Sequence, residues 1–457
     1  MNLNTYYKRG KKGTAALLIG LSVLLSGIIW LVSCGDTDTQ PVTTEPVPAT
    51  ETGAVETTAP AETEEETTAD ETTTAEETTT AEETTTAEET TADIITTTAP
   101  SDVNNTVVNT VPQNGGKEQT VTAGAAPVIK YAASGISISS AYINPLTGLP
   151  HDTDVSKKRP AAIMINNIKS SLPQIGIRNA DVIYECTVEG GLTRLMAVVL
   201  DYEKLGNIGS IRSAREYYLD FASNHDALFV HAGGAATAYE EIYARKADYL
   251  DAVNGYLPAN KVFWRDAERL KTMSAEHTVV TNGDALVYGV EYKKYRTETY
   301  SGFESAFTFI DCDKRLTLED GGAAGHVIVP YNNYHFPQFI YDSSQGIYWR
   351  YQYNGIPHID GETGGQLSFT NVLLLVCRHY NTGDDKGHIM VDTTGVGEGY
   401  YITGGKYVKI NWKKEDGKKP IKLTYADGSP LVMNCGKTMV NIISSSVQKN
   451  LIFDYKG

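Results

Sequence analysis

The chain has 457 residues, with 39 Lys and Arg, 56 Asp and Glu, and a formal net charge of −17 at pH 7. The lack of basic patches interleaved with aromatic residues argues against nucleic acid as a partner. The nine histidines are scattered without ligand-like pairs, so we expect no structural metal and no cofactor.

The N-terminus has the pattern of a secretory signal peptide. Four cations within residues 8–12 precede an almost uncharged apolar run over residues 13–32. The run ends in Leu-Val-Ser-Cys, which resembles the lipobox of bacterial lipoproteins. That resemblance implies a signal peptide at residues 1–33 and an anchor in the lipid bilayer through acylated Cys34, on the extracellular side of the cell membrane. A retained transmembrane anchor is the alternative, because about 20 apolar residues can span a bilayer.

The next segment is a Thr/Glu-rich repeat. Residues 35–100 contain 18 acidic residues, no Lys or Arg, and the repeated unit Thr-Thr-Thr-Ala-Glu-Glu. Such a composition buries too little apolar surface to fold, so residues 34–125 are predicted to be a disordered tether. Once these 18 negative charges and the four signal-peptide cations are set aside, residues 101–457 carry a net charge near −3. The acidity therefore belongs to the tether and not to a binding site.

The remaining chain is long enough for two domains, and its pattern changes near residue 300. In residues 126–300, strand-like runs alternate with helical stretches, which predicts an α/β-type domain. In residues 301–457, Gly-bearing turns separate aromatic and β-branched runs, which predicts a mainly antiparallel β domain. The expected fold class is α+β.

Four cysteines follow the tether: Cys186, Cys312, Cys377 and Cys435. Four cysteines allow three disulfide pairings. Cys186 and Cys377 lie in apolar strand-like runs, where a buried thiol acts as a small hydrophobic side chain, so free thiols are favoured over disulfides.

A predicted hairpin surrounds Glu-Gly-Gly-Leu at residues 189–192. If the two glycines form a two-residue turn, Thr187 pairs with Arg194, and one face of the hairpin carries Glu185, Thr187, Glu189 and Arg194. A guanidinium group in so apolar a strand needs a carboxylate, a phosphate or another ligand. A Glu185–Arg194 salt bridge is the purely structural alternative.

Cations flank the start of the next helix. Ser213 and Glu216 have the spacing of a capping box, with Ser213 as the N-cap. Arg212 and Arg215 then lie at a helix N-terminus, where positive charge is unfavourable unless an anion shares the site. Downstream, His231, Gly233 and Gly234 end a strand just before a helix, where backbone amides can approach a ligand. A tight turn is the alternative there.

Strand ends and helix starts are where α/β ligand sites usually form. Arginine is suited to bidentate recognition of phosphate or carboxylate. The predicted ligand-binding residues are Glu185, Glu189, Arg194, Arg212, Arg215, His231, Gly233 and Gly234. No hydrolase, zinc-protease or P-loop motif accompanies them, so no catalytic residue is assigned.

Long ordered motifs in this region resemble the YerB family of Gram-positive lipoproteins. They cover residues 143–150, 159–167, 180–198, 209–222 and 226–234, and continue into a C-terminal part that closes with Asn-Cys-Gly-Lys-Thr-Met-Val-Asn-Ile-Ile. The chain departs from the family at Cys186 and Cys435, where Ala and Pro are expected. The resemblance implies a lipoprotein of the cell envelope and transfers no reaction.

The order of the motifs is also similar to that of the LytR-CpsA-Psr phosphotransferases, which bind polyprenyl pyrophosphate through arginines. That similarity implies a pyrophosphate held by Arg194, Arg212 and Arg215, with an acid such as Asp220 or Glu185 engaging a metal or the attacking hydroxyl. The spacing departs from that family, because no Asp adjoins Arg194 or Arg215.

Three hypotheses follow from the sequence. The leading one is a non-catalytic surface lipoprotein that binds an anionic envelope ligand or a cell-wall protein. The second is an envelope phosphotransferase acting on glycopolymer linked to polyprenyl pyrophosphate. The third is a scaffold whose arginines are structural.

Overall fold

The computed structural model describes residues 126–138 and 140–456. The expected signal peptide, the tether and Cys34 lie outside the described residues. Within the described part, no helix is long and apolar enough to cross a membrane.

Helices are few, and every α-helix of the described part lies in residues 126–300, as the sequence pattern predicts. They are α1 (Glu216–Ser223), α2 (Ala236–Arg245) and α3 (Gly283–Lys293). Single 3₁₀ turns are formed by Lys169–Ser171, Ile177–Asn179, Glu189–Gly191, Tyr202–Lys204, Arg269–Lys271, Ala275–His277 and Gln448–Asn450.

Strands make up most of the regular structure. Those before residue 300 are β1 (Ile129–Ala133), β2 (Tyr142–Ile143), β3 (Pro150–His151), β4 (Ala161–Asn166), β5 (Val182–Thr187), β6 (Thr193–Val199), β7 (Ile208–Gly209), β8 (Leu228–His231), β9 (Tyr249–Asp251), β10 (Trp264–Arg265) and β11 (Val279–Thr281).

After residue 300 the structure is strand-rich, with the expected hairpins. The strands are β12 (Lys314–Leu318), β13 (Gly322–Ala323), β14 (His326–Ile328), β15 (Gln338–Asp342), β16 (Ile347–Gln352), β17 (Ile356–Pro357), β18 (Ser368–Phe369), β19 (Asn371–Cys377), β20 (His379–Asn381), β21 (Ile389–Val391), β22 (Gly395–Thr403), β23 (Lys406–Lys414), β24 (Lys422–Tyr425) and β25 (Thr438–Ser444). The α+β class is confirmed.

One sheet of 11 strands organises the described chain. Its order is β13-β23-β22-β19-β25-β5-β6-β4-β8-β9, with β24 added beside β23. β25 pairs in parallel with β5, so strands from both sides of residue 300 form one continuous sheet. The division at residue 300 stays a prediction, but the main sheet crosses it.

Each face of the main sheet has its own hydrophobic core. Alternate residues of β4, β5 and β6 point to opposite faces, as strand geometry requires. One face packs against α1 and α2. The other packs against α3 and a five-stranded antiparallel sheet of β14 to β18. Neighbouring residues along β5 or β6 therefore point to opposite faces of the sheet. One residue meets helices α1 and α2, and the next meets α3 or the five-stranded sheet.

The expected capping box is wrong. Helix α1 begins at Glu216, its N-cap is Arg215, and no side chain caps it. Ala214 instead forms backbone hydrogen bonds with Gly233 and Ala235, and these keep residues 214 and 215 extended. The Glu216 side chain accepts a hydrogen bond from Thr237 Oγ1 at 2.7 Å and does not reach back to Ser213.

The expected hairpin register is also wrong. Thr187 pairs with Thr193, and Arg194 pairs with Cys186. The connection is a 3₁₀ turn closed by a hydrogen bond from Val188 N–H to the Leu192 carbonyl, with positive φ at both glycines. Because strand side chains alternate, this shift by one residue moves Arg194 to the face opposite Glu185.

Candidate functional site

Glu185 is completely buried at the centre of a polar network. Its carboxylate accepts hydrogen bonds from Asn167 Nδ2 at 3.0 Å and Thr193 Oγ1 at 2.8 Å. It also accepts from His335 Nε2 at 2.5 Å and from an Arg350 guanidinium nitrogen at 2.8 Å. The expected Glu185–Arg194 salt bridge is therefore wrong: the charge partner of Glu185 is Arg350, which is itself fully buried.

The network continues beyond Arg350. The same guanidinium donates to Gln352 at 3.0 Å and contacts His358. His358 Nε2 lies 2.8 Å from Gln174 Oε1. Burial, together with the charge of Arg350, lowers the pKa of His358 well below its ordinary value, so this imidazole is neutral. Hydrogen-bonding groups thus surround one carboxylate–guanidinium pair, as a buried ion pair requires.

The charge state of Glu185 follows from these contacts. Burial alone would raise the pKa of Glu185, but Arg350 and His335 outweigh it and lower the pKa to about 2. Glu185 is therefore ionised at neutral pH, and its partners come both from the main sheet and from the part of the chain that forms the five-stranded sheet. It lies inside the molecule and contacts none of the arginines that the sequence placed beside it.

On the opposite face, Arg194 and Arg215 converge on one carboxylate. Arg215 forms a bidentate ion pair with Glu189, with one nitrogen–oxygen distance of 2.7 Å. Arg194 Nη2 lies 3.8 Å from the same carboxylate, and Arg194 Nη1 donates to the Ser213 carbonyl at 2.8 Å. The two guanidinium side chains are each 10% exposed and Glu189 is 19% exposed. We call Glu189, Arg194 and Arg215 the arginine pair site.

The arginine pair site carries an excess of positive charge. Burial alone would raise the pKa of Glu189, but Arg215 outweighs it and lowers the pKa. Burial and the neighbouring Arg215 lower the pKa of Arg194 to about 10, so it stays charged at neutral pH. Two cations therefore face one anion. His388 Nε2, 3.8 Å from Glu189, adds positive charge when it is protonated.

Arg212 points to a different partner. Its Nη1 donates to the Glu276 carboxylate and to the Glu276 backbone carbonyl, both at 3.1 Å. Glu276 is 60% exposed, and exposed ion pairs of this kind contribute little stability. The Nε of Arg212 is buried and has no hydrogen-bond partner within the described residues. Arg212 lies on the segment that Arg194 contacts, but it is not part of the bidentate pair.

The glycine turn after β8 already binds an internal carboxylate. Asp251 accepts hydrogen bonds from the backbone N–H of Gly233 at 2.7 Å, Val253 at 2.9 Å and Asn254 at 3.0 Å. His231 is buried, and its Nδ1 lies 2.9 Å from the Gly233 carbonyl. Gly234 bridges to Ala214. The structure therefore places His231 and Gly233 beside Asp251, and Gly234 beside Ala214.

Comparison with known proteins gives the family. Residues 146–296 match the model described as "Protein of unknown function (DUF3048) N-terminal domain", and residues 327–440 match that of the DUF3048 C-terminal domain. The two matches together span more than half of the chain. This chain belongs to the DUF3048 family.

A relative and a solved structure agree with this assignment. The chain is 29% identical over 303 residues to the Bacillus subtilis strain 168 protein named "Putative lipoprotein YerB", covering 65% of this chain and 85% of that protein. The crystal structure of YerB from Bacillus subtilis is similar with a TM-score of 0.57 and 26% identity, covering 66% of this chain and 96% of that one. The resemblance to YerB is confirmed, and a lipoprotein homologue supports lipid anchoring.

In this DUF3048 chain, the buried network joins the two family domains. Glu185 and Asn167 belong to the N-terminal domain, while His335 and Arg350 belong to the C-terminal one. Sequence reasoning missed Arg350, His335 and Asp251. Arg350 could have been recognised from the sequence, because it lies within the aromatic run Ile-Tyr-Trp-Arg-Tyr-Gln and a cation buried there needs a buried partner.

The two acids that the phosphotransferase similarity implies, Asp220 and Glu185, do not lie at the arginine pair site. Asp220 accepts from Arg245 at 2.5 Å and from Thr393. Glu185 is enclosed by its own network. Within the described residues, no group of three His, Cys, Asp or Glu side chains could hold a metal ion. Cys186 is buried, and burial raises the pKa of its thiol, so it packs as a hydrophobic side chain.

We expect Glu185→Gln to lower the free energy of unfolding by about 3–5 kcal/mol at pH 7, because it leaves the buried Arg350 charge uncompensated. Glu185→Gln combined with Arg350→Met should cost less than the sum of the two single variants. Chemical denaturation of all four proteins measures this coupling. Additive losses would contradict the ion pair.

Proposed function

We propose that this DUF3048 chain is a lipid-anchored lipoprotein on the outer face of the cell membrane that binds an anionic envelope ligand through Arg194 and Arg215. One observation carries the proposal: two guanidinium groups converge on a single carboxylate at a partly open site, which leaves one positive charge without a counter-ion.

The Glu189 carboxylate lies where we expect the anionic group of a ligand to bind, between Arg194 and Arg215. It lies on a turn with two positive-φ glycines, and it engages Arg215 with both carboxylate oxygens. A phosphate offers the same bidentate geometry with more charge. An incoming phosphate can therefore bind beside Glu189 or take its place, and Arg194, whose contact with Glu189 is 3.8 Å, has the most to gain.

Arg212 is an additional contact that a larger ligand could make in this proposal. Its only charge partner within the described chain is the exposed Glu276, and its Nε is left without a partner. A ligand that reaches from the arginine pair site along residues 212–213 would meet this guanidinium. Glu185, His231, Gly233 and Gly234 support the proposal only as framework. Glu185 is held by its own buried network, and the turn formed by the other three residues is held by Asp251 and Ala214.

For the arginine pair, we expect Arg194→Gln to weaken the binding of inorganic pyrophosphate by about tenfold or more. One charge-assisted hydrogen bond is worth roughly 1.5–3 kcal/mol, and tenfold corresponds to about 1.4 kcal/mol. Arg215→Lys should weaken binding too, because it keeps the charge but loses the bidentate geometry. Isothermal titration of the full chain in neutral detergent provides the measurement.

Lys422→Gln is the matched control, since it removes the same unit charge from an exposed position on β24. It should bind pyrophosphate like wild type. Equal affinities for wild type, Arg194→Gln and Arg215→Lys would remove this site from the proposal, whereas a parallel loss in Lys422→Gln would indicate a nonspecific charge effect.

For the anchor, we expect metabolic labelling with a radioactive fatty acid to tag the wild-type chain and to leave Cys34→Ser unlabelled. Acylation needs the thiol, and serine at this position cannot form the thioether. Cys312→Ser serves as control, because Cys312 is buried in the folded part. Label on Cys34→Ser at the wild-type level would contradict anchoring through this residue.

A further inference from the structure

A positively charged cavity lies at the end of helix α1 that is opposite to the arginine pair site. It has a volume of about 560 Å³, and Ala222 and Ser223 at the helix C-terminus form part of its wall. Arg215 precedes the first residue of α1, and eight residues at 1.5 Å per residue separate the two ends by about 12 Å. The cavity is therefore distinct from the arginine pair site.

Three arginines of the cavity are neutralised by aspartates. Arg159 contacts Asp248 at 2.6 Å, Arg296 contacts Asp226 at 2.5 Å, and Arg245 contacts Asp220 at 2.5 Å. The acidic residues in the cavity wall are Asp226 and Asp248, and both are engaged in these pairs. No wall carboxylate is left for a further cation.

Three lysines remain on the same cavity. Lys246, Lys294 and Lys418 all line it and all are exposed. None of the three forms an ion pair with another residue of the described chain. The wall of the cavity thus combines compensated arginine–aspartate pairs with three lysines that form no ion pair within the described residues, and we call it the lysine pocket.

The backbone at two of these lysines supports a role for the side chains. Lys246 ends α2 with φ 53° and ψ 43°, and Lys294 ends α3 with φ 56° and ψ 39°. These left-handed positions favour glycine or asparagine, because a Cβ atom is strained there. A cation at a helix C-terminus interacts favourably with the helix dipole, but this does not explain why two helices present lysines to one cavity.

We propose that the lysine pocket binds a phosphate-bearing ligand about the size of a sugar phosphate or a glycerophosphate. Ligand pockets typically measure about 300–1,000 Å³, so the volume suits such a group. Lysine ammonium groups are compact and flexible point charges suited to phosphate oxygens. Tyr295 and Tyr300 supply ring surface for the polyol part. The phosphate can come from a phospholipid headgroup or from a soluble phosphate compound.

The test is titration of the full chain in neutral detergent with inorganic tripolyphosphate in one arm and water-soluble dihexanoyl phosphatidylglycerol in the other. Because the arginine pair site is proposed to bind polyphosphate too, both triple variants are made in the Arg194→Gln, Arg215→Gln background, which takes the place of wild type in this test. In that background, the triple variant Lys246→Asn, Lys294→Asn, Lys418→Gln should bind at least 20-fold more weakly. Asparagine tolerates the left-handed conformation, so the melting temperature without ligand should not fall. A control triple variant, Lys261→Gln, Lys413→Gln, Lys422→Gln, removes the same charge and should bind like wild type.

Lysine-dependent binding of both probes, or of either one, supports the pocket and identifies the phosphate source. Wild-type affinity in the lysine triple variant, or equal losses in the two triple variants, overturns the proposal, as does a lack of binding in both arms. The double variant Arg194→Gln, Arg215→Gln should keep the lysine-dependent component. Failure at the lysine pocket is thereby distinguishable from failure at the arginine pair site.

Discussion

The buried ion pair between Glu185 and Arg350 is the constraint on which the rest of the structure depends. Both side chains are fully buried, and two ions without water are costly unless hydrogen bonds satisfy them. Asn167, Thr193 and His335 complete the set around the carboxylate. Since the partners come from both DUF3048 domains, the pair fixes the five-stranded sheet against the main sheet. It also fixes which face of β5 meets the five-stranded sheet.

That choice of face determines the surface chemistry. With Glu185 inward, strand alternation places Cys186 and its cross-strand neighbour Arg194 on the face of α1, where Arg194 meets Arg215 and Glu189. At each place where the sequence predicted a bound anion, the chain provides a carboxylate of its own. These carboxylates are Glu189 at the arginine pair, Glu276 at Arg212 and Asp251 at the glycine turn. Among these three places, cations outnumber the carboxylate at the arginine pair.

Local patterns predicted the elements of the fold, and long-range partners escaped prediction. Apolar periodicity located β4, β5, β6 and β8, and Gly-bearing turns located the hairpins β15–β16 and β22–β23. The predicted register after Glu189 was wrong because the turn has one more residue than expected. That shift moves every side chain of β6 to the opposite face of the sheet. Arg350 lies 165 residues from Glu185, and no local spacing indicates such a contact. Arg194 was found because a cation in an apolar strand is unusual, and Arg212 and Arg215 were found because they flank a helix start. Their partners were not found.

The most direct test of the account is the affinity of Glu189→Gln for inorganic pyrophosphate, measured by calorimetry on the full chain in neutral detergent. If Glu189 occupies an anion position between two guanidinium groups, removing its charge should raise the affinity about tenfold, and bound pyrophosphate should restore melting temperature lost by the variant. A variant that melts lower and binds pyrophosphate no better than wild type would show that the arginine pair is a structural ion cluster.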